Sequence, residues 1–160
     1  MYQTKDKIHD ISSINKKLAS WRVNGQKIVF TNGCFDLLHL GHLDYLEKAA
    51  RLGDRLVVGL NSDQSVKILK GENRPIHSQE TRARMLAVME FVDAVVAFEE
   101  ETPARLIEAV KPDVLVKGGD YQLSEIVGAD FVMARGGKVE RIAFLEGHSS
   151  TGVIGRIRKN

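Results

Sequence analysis

The sequence predicts an α/β fold built on a doubly wound, parallel sheet of five strands in a single domain, with an extra helix at the N-terminus. Three observations predict it. Short runs rich in Val and Ile are apolar on both faces, as parallel strands covered by helices must be. Helical patterns with their own start signals separate these runs. No Pro-rich linker, repeat or low-complexity tract divides the 160 residues, a length that suits one domain of roughly 100–200 residues.

The elements follow in order. Ile8, Ile11, Ile14, Leu18 and Trp21 recur at intervals of three and four, so they line one face of an amphipathic helix that Asn24-Gly25 ends. That face is expected to pack on the body of the protein or on a second subunit. Strands are predicted near 27–31, 55–60, 94–97, 114–117 and 138–142. Between them, Ser62 or Asp63 opens one helix, Ser78 caps another through Met89, and Thr102-Pro103 supplies an N-cap and a first-turn proline. The predicted organisation is an amphipathic N-terminal helix over 1–25 and an α/β domain over 26–160. In such sheets ligands bind beyond the carboxyl ends of the strands, where strand order reverses. The loops after the first, fourth and fifth predicted strands are therefore the ones to inspect.

Composition narrows the function classes. Lys and Arg number 23 against 21 Asp and Glu, a net charge of +2 with both signs interspersed, which points to neither a nucleic acid nor a membrane as partner. Cys34 is the only cysteine, which excludes an intramolecular disulfide and a Cys-rich zinc site. With no signal-like or membrane-spanning apolar run, a cytoplasmic location is expected.

The loop after the first strand reads Thr31-Asn32-Gly33-Cys34-Phe35-Asp36-Leu37-Leu38-His39-Leu40-Gly41-His42. It carries neither GxGxxG nor the P-loop pattern, which counts against a dinucleotide-binding domain and a P-loop kinase. Instead, His39 and His42 stand three apart at the opening of a helix, on one face. A helix start offers unpaired N–H groups and partial positive charge, so a polyphosphate there meets imidazole and peptide donors together. Gly41, lacking a side chain, lets a ligand approach the backbone. Two plainer readings stand beside this one: ordinary histidines capping a helix, and a metal site of Cys34, His39 and His42. The second ranks below phosphate because zinc prefers four ligands with Cys and His in recognisable pairs.

Phe35-Asp-x-x-His39-x-Gly-His42 resembles the signature of the HxGH nucleotidyltransferase superfamily. The resemblance implies a Rossmann-like fold, transfer of a nucleoside monophosphate from a triphosphate, and catalytic contacts from His39 and His42 to the nucleotide phosphates. It also places Thr31, Asn32, Gly33, Phe35, Gly41 and Gly118 around the nucleotide. Near the C-terminus, Ser149-Ser150-Thr151 precedes an apolar helical pattern at Val153, Ile154 and Ile157. Alone this is a hydroxyl-rich helix cap; in the resemblance it is the second signature, a Ser/Thr run binding the nucleotide phosphates. Phe144-Leu145-Glu146-Gly147 stands where the cytidylyltransferase pattern has Arg-Thr-Glu-Gly, which counts against glycerol phosphate as acceptor.

Cations surround the middle of the chain. Lys70, beside Gly71, is a mobile charge able to close on developing phosphate charge and is assigned a catalytic role, while Lys67 reads equally well as solvated surface. Arg74 and Arg82 can hold phosphate oxygens in bidentate fashion. Lys117 and Asp120 in Val116-Lys117-Gly118-Gly119-Asp120-Tyr121, with Asp36, complete the expected substrate-binding set. Together these motifs resemble the adenylyltransferase domain of bacterial ADP-heptose synthesis. That implies transfer of AMP from ATP, accompanied by Mg²⁺, to D-glycero-β-D-manno-heptose 1-phosphate, and a homodimer. Rival pairs are CTP with glycerol 3-phosphate and ATP with a flavin phosphate. A rival of another class is a non-catalytic module that senses ATP. No resident metal site is expected.

Overall fold

The strands begin where aspartates can hold them. Asp54 accepts a hydrogen bond from Lys27 N, Asp113 from Ile28 N and Asp93 from Leu56 N, each at 2.7–2.8 Å. These carboxylates pin the amino ends of neighbouring strands and leave the opposite edge of the sheet to its loops. In the computed structural model, which describes residues 3–159, the order of elements is β1 (Ile8–His9), α1 (Ile11–Val23), β2 (Ile28–Gly33), α2 (Leu40–Ala50), β3 (Arg55–Asn61), α3 (Asp63–Lys70), α4 (Gln79–Ala87), β4 (Ala94–Phe98), α5 (Ala104–Val110), β5 (Val114–Gly118), α6 (Ala129–Ala134), β6 (Lys138–Ile142) and α7 (Ser150–Lys159). Residues 1, 2 and 160, the outer ends of the two expected segments, lie outside the described residues.

All pairings are parallel, and the sheet runs β1-β4-β3-β2-β5-β6. The predicted fold class stands, with six strands instead of five. The added strand is β1, which pairs Ile8 with Val95 and His9 with Val96. Ile8 therefore leaves the helix in which its spacing placed it. The cause is Asp10, whose side chain accepts from Ser13 N while Ser13 returns a bond to Asp10 N, a reciprocal cap that starts α1 at Ile11. At α5, Pro103 takes the N-cap position expected of Thr102.

Successive residues of each strand point to opposite faces, and each face is covered. On one, Ile28 and Phe30 of β2 join Leu115, Val57 and Val96 beneath Ile14, Leu18 and Trp21 of α1 and Leu106, Ile107 and Val110 of α5. On the other, Val29, Val58, Val95 and Val116 pack against Leu46 and Ala49 of α2 and Leu86 and Ala87 of α4. Each fully buried Leu, Ile or Phe side chain contributes roughly 1.5–3 kcal/mol. The apolar face of α1 thus packs on the body of the domain. No helix among the described residues is long and apolar enough to cross a membrane.

The chain steps outward from β2 to β3 and β4, then returns across the sheet to β5 and β6. Strand order reverses between β2 and β5, so the crevice lies beyond their carboxyl ends.

Candidate active site

Beyond Gly33 the chain turns sharply. Phe35 adopts φ 44°, a left-handed conformation that a bulky residue holds only when its surroundings impose it, at a cost of about 1–3 kcal/mol. Its ring is buried, seated over Gly33 and 5.3 Å from the His42 ring. A Cβ on Gly33 would stand 2.9 Å from a Phe35 ring carbon, so glycine makes this seat. The turn delivers Asp36, which accepts from Ile76 N, His77 N and Arg74 Nε. Burial pushes the Asp36 carboxyl up, but these donors outweigh it and hold the group below the usual carboxylate range.

His39 is the N-cap residue of α2, and His42 lies in its first turn, with His42 N bonded to His39 O at 2.9 Å. Their rings stack with centroids 3.8 Å apart. Burial lowers both, His42 to about 4, and each is lowered further by a neighbouring imidazole, His148 for His39 and His39 for His42. Both are neutral at physiological pH, and both Nδ1 atoms are buried without a hydrogen-bond partner.

The start of α7 comes to the same place. Ser150 Oγ donates to Leu37 O at 3.2 Å, which fastens α7 to the loop after β2, and Ser149 Oγ accepts from Gly152 N. A Cβ on Gly41 would stand 3.0 Å from His39 Nδ1 and 3.1 Å from His148 Cβ. The two motifs, more than a hundred residues apart in sequence, therefore meet across a bare backbone.

Cations occupy the facing wall. Lys70 ends α3, immediately before Gly71 at φ 98°, and is exposed. Arg74 spends Nε on Asp36 and keeps its other donors. Burial lowers the half-buried Lys117 ammonium, with Cys34 opposing the shift. All of these groups border one cleft of about 830 Å³ at the β2/β5 crevice, a volume suited to a small ligand. Residues 30–156 match the cytidylyltransferase-like family over most of the chain.

The chain belongs to the cytidylyltransferase-like family. It is a nucleotidyltransferase by that membership. It is 55% identical over 156 residues to the bifunctional protein HldE of Wolinella succinogenes, covering 98% of this chain and 32% of that protein. To HldE of Magnetococcus marinus it is 50% identical, with the same coverage. The chain spans about a third of the length of these relatives. Among solved structures, a lipopolysaccharide core biosynthesis protein from Thermoplasma volcanium superposes with a TM-score of 0.61 at 28% identity, covering 78% of this chain and all of that one. Pantoate-beta-alanine ligase from Francisella tularensis shares the fold at a TM-score of 0.64 and 18% identity, over 96% of this chain and 78% of that one.

The cleft of this cytidylyltransferase-like domain gathers Asn32, Gly33, Phe35, Asp36, His39, Gly41, His42, Lys70, Arg74, Lys117, Gly118, Ser149, Ser150 and Thr151. Thr31, Arg82 and Asp120, expected there as well, stand outside it. Thr31 is fully buried, and its hydroxyl meets Tyr45 Oη at 2.6 Å, tying α2 to β2. Arg82 is also fully buried, with its donors taken by Cys34 O, Asn61 O, His77 O and Asp63. It braces the loops and presents no donor to a phosphate. Asp120 is exposed beyond the Gly119 turn.

Sequence reasoning missed Tyr45, Tyr121, Phe144 and His148 on the cleft wall. His148 stood within the C-terminal motif and Phe144 at its one departure from pattern, so both carried a signal. The loop after β4, which brings Glu101, Thr102 and Pro103 to the cleft, was legible only from the rule that every parallel strand ends on the ligand side.

Proposed function

We propose that this domain transfers AMP from ATP to D-glycero-β-D-manno-heptose 1-phosphate, giving ADP-heptose and pyrophosphate. The observation that carries the reading is the meeting of the paired imidazoles with the hydroxyl-bearing start of α7 at Gly41. Similarity to HldE proteins and to a lipopolysaccharide core biosynthesis protein supports the sugar phosphate as acceptor.

An oxygen of the sugar 1-phosphate attacks the α-phosphorus in line; the new O–P bond forms as the bond to the β-phosphate oxygen breaks and pyrophosphate leaves. The nucleophile is anionic near neutral pH and needs no general base. This fits a site rich in donors and cations. His39 and His42, as neutral rings, donate N–H groups without the repulsion that two adjacent imidazolium ions would suffer. The starts of α2 and α7 add backbone donors, and Ser149, Ser150 and Thr151 add hydroxyls around the phosphates. Lys70, Arg74 and Lys117 offset the repulsion between the two phosphates and stabilise charge on the leaving group. Asn32, Gly33, Phe35 and Gly118 shape the nucleotide side, and Asp36 holds Arg74 in place.

Mg²⁺ bound with ATP would supply charge neutralisation at the triphosphate, beside the cations Lys70, Arg74 and Lys117 that line the cleft. The catalytic unit is 26–160, braced by the N-terminal segment, and it works in the cytoplasm as a homodimer without nucleic acid or membrane.

A panel of nucleotide and acceptor pairs scored by pyrophosphate release tests the reading. ATP with heptose 1-phosphate is expected to give the highest kcat/KM. Preference for CTP with glycerol 3-phosphate, or for a flavin phosphate, overturns the substrate assignment; ATP binding with no release from any acceptor overturns catalysis.

A further inference from the structure

Phe144 follows β6 on the cleft wall and leaves 64% of its surface to solvent, whereas Phe30 and Phe98 in the core are buried. Its position is built, because the distal end of the ring rests over Gly118 and Gly119. A Cβ on Gly118 would stand 2.7 Å from Phe144 Cζ and 3.2 Å from Tyr45 Cε2. Gly118 has no positive φ, so the ring and not the backbone requires glycine there. Gly119, at φ 101°, is flanked by two rings: its Cβ would stand 3.2 Å from Phe144 Cε2 and 3.4 Å from Tyr121 Cε2. Tyr121 is 44% exposed on the same wall, and Arg141 donates to its carbonyl at 2.9 Å. Tyr45, locked by Thr31, backs the arrangement with its ring 6.3 Å from that of Phe144.

Two exposed aromatic rings flank a bare Gly-Gly turn on the wall of a cleft that also holds His39, His42, Lys70 and Arg74, with Lys117 Nζ 5.9 Å from the Tyr121 ring centroid. The segment 144–149 joins this surface directly to the start of α7. We propose that Phe144 and Tyr121 form the platform on which the nucleobase stacks, so that they govern affinity for the nucleoside part of the triphosphate. The inference rests on the reading that the cleft binds a nucleoside triphosphate. Stacking tolerates any base, because each has a π-face, and the larger face of a purine gains more than that of a pyrimidine. This gives a physical source for base preference that the phosphate-binding motifs cannot supply.

Binding of ATP and of inorganic tripolyphosphate to the intact chain, measured by calorimetry, tests the platform. Phe144→Ala is expected to weaken ATP by about 5- to 150-fold, the range for loss of one stacking partner, and to leave tripolyphosphate unchanged. Tyr121→Ala acts in the same direction. Phe144→Trp is expected to keep ATP affinity and to show fluorescence that ATP quenches and tripolyphosphate does not; the native Trp21 is buried among core residues on one face of the sheet. Unchanged ATP affinity in Phe144→Ala, equal weakening of both ligands, or a rise confined to the acceptor KM overturns the platform. If the variants show this pattern while the wild-type protein releases no pyrophosphate, the transfer reaction is rejected and the platform stands, whereas wild-type protein that binds no ATP overturns both.

Discussion

The His39 and His42 rings stack with centroids 3.8 Å apart and planes 23° from parallel, with both Nδ1 atoms buried and unpartnered. Such a pair accepts protons reluctantly. Burial, then His39, takes His42 from 6.5 to about 4, so the unfolded chain holds more protons between those pH values. Stability is therefore full above pH 6.5 and is lost as pH falls towards 4. By pH 5 the loss from His42 is on the order of 1 kcal/mol after discounting for partial exposure, or about 2–4 °C in Tm. Melting curves from pH 7.5 to 5.0 should show the decline, and His42→Asn should flatten it; an unchanged slope in the variant would place the titrating group elsewhere.

Catalysis should depend on the same rings more steeply than folding does. If His42 donates to the transferring phosphates, His42→Ala lowers kcat by a factor on the order of 10²–10³, the usual loss for one transition-state donor. Steady-state pyrophosphate release at pH 7.5 measures it. Turnover within a few-fold of wild type removes His42 from the catalytic set.

Asp36 couples the loop after β2 to the segment that carries Arg74. Its carboxylate is nearly inaccessible, and Arg74 Nε lies 2.6 Å from it. Asp36→Ala leaves a guanidinium and two backbone N–H groups without their acceptor, a loss of about 3–5 kcal/mol by analogy with breaking a buried pair. Denaturant midpoints should fall accordingly, with kcat/KM falling further as Arg74 loses its orientation. Full activity in a destabilised Asp36→Asn protein would show that the link serves folding alone.

How much of this was legible follows from which forces are local. The strands β2 to β5 were readable because burial on both faces forces continuous apolar runs, whereas the edge strand β6 has no buried residue and showed only Val139 and Ile142; Ser62 and Ser78 were readable because a cap is a contact three residues long. Ile8 was misplaced because its spacing suits α1, while the pairing that claims it lies near Val95, far along the chain. His39, His42 and the Ser149-Ser150-Thr151 run could be recognised as motifs, yet their meeting at Gly41 is tertiary and appears in no spacing. Arg82 shows the opposite failure. An arginine among other cations reads as a phosphate ligand, and only the fold reveals that loop carbonyls consume it.

Arg82 therefore supplies the sharpest separation of bracing from binding. Its guanidinium donates to Cys34 O at 2.6 Å, Asn61 O at 2.8 Å and His77 O at 3.1 Å, and it pairs with Asp63 at 2.8 Å. It thus joins the turn that seats Phe35, the end of β3 and the loop entering α4. Methionine in its place fills much of the volume but leaves three carbonyls and a carboxylate without this donor. Arg82→Met should cost about 1–3 kcal/mol, the penalty for a buried acceptor left without its donor, since the Asp63 carboxylate it also frees is 45% exposed; the loss is seen as a lower urea midpoint. Arg82→Lys restores the charge but not the planar fork and should recover only part of that loss. If Arg82 touched substrate, Arg82→Lys would raise the acceptor KM while folding stayed intact; as a brace, it lowers stability and kcat together at unchanged acceptor KM.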